Sequence, residues 1–219
     1  MATKTKDIRE AVKAELDFDP LVDASDITIK NMNGDVALNG TVPSYPQYRE
    51  AAAAAQRVHG VTSVHNHLMV MLPPRDYRDD PMLTTAANNA LALNITVPDG
   101  VEATASDGNL WLTGTVRHGA QRKAAEMTVA SLTGVRNVTD DIEIRTEEEE
   151  AADVTDLVQE ALDRYGLFAD DSEVTVDASD GTITLAGHVR SWLEHDAVID
   201  AAWMGIGVSD VRDDVRVTG

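Results

Sequence analysis

The chain contains no cysteine, which excludes disulfides, thiolate nucleophiles and cysteine-held zinc or iron–sulfur centres. Aromatic residues are scarce, three Trp, four Tyr and two Phe in 219 residues, so the interior must be built from Val, Ile, Leu, Met and Ala. Positive charge is short as well: 18 Lys and Arg stand against 38 Asp and Glu, a net of -20. The deficit is uneven, with nets of -2 over residues 1–74, -3 over 75–146 and -15 over 147–219. Such an acid load repels phosphates and anionic headgroups, suits basic partners, cations or plain solubility, and argues against nucleic acid as a partner. Long hydrophobic runs are missing too, so no transmembrane segment is predicted. Lys4, Lys6, Asp7, Arg9, Glu10, Lys13 and Glu15 interrupt every candidate leader. The sequence as it stands predicts a soluble cytoplasmic protein, or a periplasmic one if a leader has been removed.

What the chain does have is a repeat. Asn33-Gly34-Asp35-Val36-Ala37-Leu38-Asn39-Gly40-Thr41-Val42 returns as Asp107-Gly108-Asn109-Leu110-Trp111-Leu112-Thr113-Gly114-Thr115-Val116, then as Asp180-Gly181-Thr182-Ile183-Thr184-Leu185-Ala186-Gly187-His188-Val189. A second block keeps the same register: Gly60-Val61 to Val70, Gly134-Val135 to Ile144, Gly207-Val208 to Val217. The sequence therefore divides into three domains, 1–74, 75–146 and 147–219, each near the lower size limit for an independent core.

Each copy opens with an amphipathic helix: Ile8, Ala11, Val12, Glu15 and Leu16, with counterparts Leu83, Ala86, Ala87, Ala90, Leu91 and Val154, Leu157, Val158, Ala161, Leu162. Only Glu15 breaks the apolar set. Asp80-Pro81 predicts an N-cap and a first-turn proline for the second copy. Short alternating strands at Ile27-Thr28-Ile29, Val101-Glu102-Ala103 and Val174-Thr175-Val176 lead to Asn-Gly or Asp-Gly hairpin turns at Gly34, Gly108 and Gly181. In the strand after each turn stands a glycine, Gly40, Gly114 or Gly187, which predicts a close backbone approach, here to a packed helix. A second helix follows, about 44–58, 118–132 and 191–204, with Ser44 and Ser191 as N-caps. Gly60, Gly134 and Gly205 or Gly207 suggest left-handed caps, and a third strand ends each copy.

The expected class is α+β: three tandem α-β-β-α-β domains, each a three-stranded mixed sheet with both helices on one face. The β-α-β crossover makes the second and third strands parallel, and the other face is expected to be solvated. Leu72-Pro73-Pro74-Arg75 predicts a stiff linker that spaces the first two domains apart.

The helix, the glycine-turn strand ending in a second glycine, and the Gly-Val-x-x-Val-x-Asn/Asp strand together resemble the BON domain family, named for bacterial osmotically induced and nodulation proteins. The resemblance runs three times over nearly the whole chain. Gly40, Gly114 and Gly187 look like its hallmark glycine, and Asn66, Asp140 and Asp213 like its polar residue on the last strand. It implies the same fold, a bacterial protein without catalytic residues, and roles in envelope maintenance, phospholipid contact and osmotic or other stress. Most members are implied to be periplasmic or attached to outer membranes. A cytoplasmic branch includes a potassium-binding protein.

Candidate sites lie where the copies differ. His65, His67, Met69 and Met71 alternate along one strand, placing two imidazoles and two thioethers on one face, a donor set suited to copper or another soft metal. Contact with a neighbouring domain or subunit is the competing reading. Tyr45, Tyr48, Trp192 and Trp203 around the second helices form a candidate interaction surface, or else cover the seam between helix and sheet. His59, His118, His188 and His195 read as surface or capping residues. Ser191, His195 and Asp196 lie too close along one helix to form a triad. Asp170-Asp171 and Asp177 to Asp180 lack the spacing of a calcium loop. No catalytic set and no cofactor are predicted. The expectation is a non-catalytic interaction protein, its partner another protein or itself, with cations (potassium, or a soft metal at the stripe) or phospholipid at domains 1 and 2 as alternatives.

Overall fold

The computed structural model describes residues 2–145, 158, 160–161, 173–179, 181–205 and 208–218. The first unit runs α1 (Ala2–Phe18), β1 (Ile27–Met32), β2 (Asp35–Val42), α2 (Tyr45–Gln56) and β3 (Ser63–Val70). The second repeats this order as α3 (Asp80–Leu93), β4 (Glu102–Ser106), β5 (Asn109–Val116), α4 (Gly119–Ala130) and β6 (Asn137–Ile144). The third contributes β7 (Glu173–Ser179), β8 (Thr182–Val189), α5 (Trp192–Trp203) and β9 (Asp210–Val217). Its opening helix, expected around 154–162, lies outside the described residues apart from isolated positions, of which Val158 and Ala161 join the core of that unit.

Each sheet has the middle strand of its unit at the centre, antiparallel to the first and parallel to the third. The alternation of the central strand decides which side is covered. Val36, Leu38 and Val42, like Leu110, Leu112 and Val116 or Ile183, Leu185 and Val189, are buried beneath the helices. Val12 and Leu16, or Leu83, Ala87 and Leu91, supply the opposing stripe at four-residue spacing. Ala51, Ala54 and Ala55 let α2 approach the sheet closely. Each fully buried Val or Leu contributes about 1.5–3 kcal/mol. Glu15, the break in the stripe of α1, pairs at 2.9 Å with Arg57 at the C-cap of α2; the same guanidinium also reaches Glu50 and Asp19. Hydrogen bonds that Arg57 donates to Glu50 and Glu15 hold its guanidinium above its ordinary pKa.

Three local expectations are corrected. Helix α3 is capped by Asp79, which accepts from the Met82 N–H at 2.8 Å. Asp80 instead accepts from the Asp107 and Gly108 N–H groups at 2.9 and 3.0 Å, tying the helix to the hairpin turn, where both residues have positive φ. The close approach at the strand glycines is to backbone, not to a helix. A Cβ on Gly40, Gly114 or Gly187 would stand 1.9, 2.4 or 2.0 Å from the carbonyl oxygen of Asp26, Gly100 or Glu173. The helix-closing glycines differ as well: Gly60 and Gly134 have positive φ but lie beyond the caps Arg57 and Ser131. Gly205 is not left-handed, and Gly207 lies outside the described residues.

Candidate functional site

Each second helix is fastened to the last strand of its own unit by one polar residue. The Asn66, Asp140 and Asp213 side chains each accept from a backbone N–H two residues on, that of Leu68, Ile142 or Val215, at 3.0–3.2 Å. The remaining atom of each grips the helix at equivalent positions. Asn66 Nδ2 donates to the Tyr48 carbonyl at 2.7 Å, Arg122 Nε donates to Asp140 at 2.6 Å, and His195 Nε2 lies 3.0 Å from Asp213 Oδ2. His195 is therefore a buried element of the fold rather than a surface or capping residue. Its bond to Asp196 and the charge of Asp213 raise the imidazole pKa above its ordinary value, against the burial that lowers it.

The same helices also join the units. Tyr45, the first residue of α2, is buried among the core residues of the second unit, with its ring stacked 5.6 Å from Tyr48. Burial pushes its phenol pKa up, and the backbone of Val138 in β6 hydrogen-bonds to it. Arg49 pairs with Glu126 across this junction at 3.3 Å. Between the second and third units, Gly119 lies so close to Trp203 that a Cβ would stand 2.5 Å from its ring. The Arg122 guanidinium sits 5.7 Å above that ring, and Lys123 pairs with Asp200. Between the third and first units, Trp192 Nε1 donates to the Val61 carbonyl at 3.1 Å, with its ring 5.0 Å from His195. Tyr45, Tyr48, Trp192 and Trp203 thus face neighbouring units or the helix–strand seam, and the first two units are packed together rather than spaced by the Pro-Pro segment. A groove of about 470 Å³ runs between α2 and α4, floored by Ala52, Ala53 and Ala130 beside the exposed Met127.

The faces away from the helices differ between units. On the first, His65, His67, Met69 and Met71 are exposed, as is Met32 on β1. The two imidazoles stack at 6.2 Å, and His65 Nε2 lies 3.0 Å from Asp35. Among the described residues no three His, Asp or Glu side chains are grouped to hold a metal ion. On the second unit Trp111 stands mid-sheet between Thr104 and Thr139, half-buried. Periodicity places Trp111 there, but nothing in a single copy sets it apart from the neighbouring strand residues. On the third, Arg212, Asp214 and Arg216 alternate along β9, all exposed. No described helix is long and apolar enough to cross a membrane.

The BON domain profile matches residues 4–71, 79–146 and 150–219. Osmotically-inducible protein Y of Escherichia coli (strain K12) is 32% identical over 143 residues, 63% of this chain and 71% of that protein. Among solved structures, the C-terminal domain of CdsD, a structural protein of the type III secretion system of Chlamydia trachomatis, matches over 97% of this chain and 98% of its own at 16% identity and a TM-score of 0.27. A second CdsD structure gives 17% identity and a TM-score of 0.26, covering 95% and 91%. Likeness at that level carries nothing about function.

Proposed function

The chain belongs to the BON domain family, and from that premise we propose that it is a non-catalytic, stress-related binding protein whose ligands meet the open faces of its sheets. The observation that carries this reading is the division of labour within each unit. The helix-bearing side supplies the core and, apart from the groove between α2 and α4, the junctions with neighbouring units, while the open faces are where the units differ most. They do differ: thioether and imidazole on the first, a tryptophan among threonines on the second, alternating charge on the third. The relative named for osmotic induction supports the link to stress.

The test is a strain lacking the protein, followed through an osmotic upshift. Regrowth slows, wild-type protein restores it, and His67→Ala/Met69→Ser or Trp111→Thr, folded by circular dichroism, restores it only in part. Normal regrowth of the deletion strain sinks the stress role, and full restoration by both variants sinks the assignment to open faces. One narrower reading is a soft-metal ion held at the first face by the imidazoles and thioethers of His65, His67, Met69 and Met71, all exposed there. Calorimetry against copper, zinc and potassium decides it, with copper heat abolished by His67→Ala as the supporting result. Flotation with anionic liposomes decides the phospholipid reading of the first two units.

A further inference from the structure

The first and last residues of the three second helices occupy equivalent positions: Tyr45 and Gln56, Gly119 and Ala130, Trp192 and Trp203. Set beside the contacts, they form a pattern. The start of α2 meets the second unit, the start of α4 meets the end of α5 in the third, and the start of α5 meets the first unit just beyond α2. Every junction runs in the same sense, from the start of one helix toward the far end of the next unit's helix or the segment that follows it, where Val138 and Val61 lie.

Each junction also carries its bulk on one side only. At the first, Tyr45 enters a core that includes Ala130, the last residue of α4. At the second the sizes are reversed: Gly119 leaves the space that Trp203 fills. At the third, Trp192 supplies the bulk and the partner is a bare carbonyl. The ion pairs start from equivalent positions, with acceptors one residue apart in register. Arg49 reaches Glu126 and Lys123 reaches Asp200, while Asp196, at the equivalent position of α5, pairs with His195 in its own helix.

We infer that every unit carries one giving end and one receiving end for another unit of its own kind, and that the three junctions close the chain head to tail upon itself. Heterologous contacts of one sense either close into a ring or propagate between molecules. With three units, three giving ends meet three receiving ends and none is left over. The reversal of bulk at the second junction makes the units non-interchangeable, since an aromatic on both sides cannot be seated. The partner for which this surface is built is therefore another such unit, from the same chain when closed and from a second copy when opened. The inference holds whatever the open faces bind.

Small-angle scattering with light scattering on the full chain tests it. With each unit's radius of gyration taken as about 11 Å, three touching units in a triangle give about 20 Å and the same units in line about 26 Å. The wild type is expected at the lower value and monomeric. Gly119→Tyr, which places an aromatic on both sides of the second junction, raises the radius and brings concentration-dependent dimers. Gly119→Tyr/Trp203→Ala, which gives the second junction the residue sizes that Tyr45 and Ala130 bring to the first, restores the compact monomer. Trp192→Ala only removes atoms and keeps the test alive if Gly119→Tyr unfolds: it opens the third junction and raises the radius. A wild-type radius near that of units in line, a Trp192→Ala chain as compact as wild type, or a double variant as expanded as Gly119→Tyr would each overturn the inference.

Discussion

Gly100 and Gly114 form a matched pair for measuring what the strand glycine does. Both have positive φ, +95° and +132°, so an alanine at either is conformationally strained by about 1–3 kcal/mol. They differ in the space around them. A Cβ on Gly100 meets nothing within 4 Å, whereas one on Gly114 stands 2.4 Å from the Gly100 carbonyl oxygen and 2.9 Å from Val101 Cα. Bringing that oxygen out to ordinary contact moves the chain entering β4 by nearly an ångström. The pairing of Glu102 with Thr113 is then strained. Losing one or two ladder hydrogen bonds adds about 1–3 kcal/mol. Gly114→Ala should therefore cost about 2–6 kcal/mol and Gly100→Ala about 1–3, the first always exceeding the second by the ladder loss. A unit of this size has only about 4–11 kcal/mol to lose. Urea titration read by hydrogen exchange of peptides covering β4 to β6 isolates the second unit from its neighbours. Equal losses in the two variants, or a larger loss for Gly100→Ala, would refute the close-approach account and leave backbone conformation alone as the reason for the glycine.

Three further outcomes follow from the same geometry. His195 has a raised pKa, so its contribution to the third unit is fully present below its unfolded value of 6.5 and disappears as pH rises through the higher folded value; a pH series of denaturation should show this, Asp213→Asn should reduce it, and Asp196→Asn/Asp213→Asn should flatten it. Asp80→Ala leaves the Asp107 and Gly108 N–H groups without their acceptor and should cost about 1–2 kcal/mol in thermal unfolding, while Asp79→Ala costs about 1 kcal/mol through loss of the helix cap. Arg57→Met removes at once three ion pairs made by a half-exposed guanidinium, so its cost should be about 1 kcal/mol in low salt and should shrink at 1 M salt.

The elements were legible because their signals are local. A turn dipeptide such as Asn33-Gly34 or an alternation such as Leu110, Leu112 needs only its neighbours to be recognised. Asp79 and Asp80 show where that ends, since adjacent carboxylates are equivalent until one is seen to face the hairpin 27 residues on. Glu15 broke its stripe for a reason 42 residues away in Arg57. The glycine at 40, 114 and 187 announces a close approach, but its partner is the chain entering the neighbouring strand, which periodicity does not name. The junction aromatics stand out around the second helices, yet their meaning depends on pairs such as Gly119 with Trp203. A glycine at a helix start carries no such signal by itself.

The bond from Trp192 to the Val61 carbonyl spans 131 residues, and that distance along the chain is also an interval of time. At about 5–20 residues per second, a ribosome needs roughly 7–26 s after making Val61 before Trp192 exists. Once β3 has followed, the first unit is complete for the rest of that interval but its receiving end is bare. On a crowded polysome the nearest tryptophan able to fill it belongs to the chain ahead. Slow synthesis through the third unit would thus favour entangled pairs, and quick synthesis favours the closed monomer.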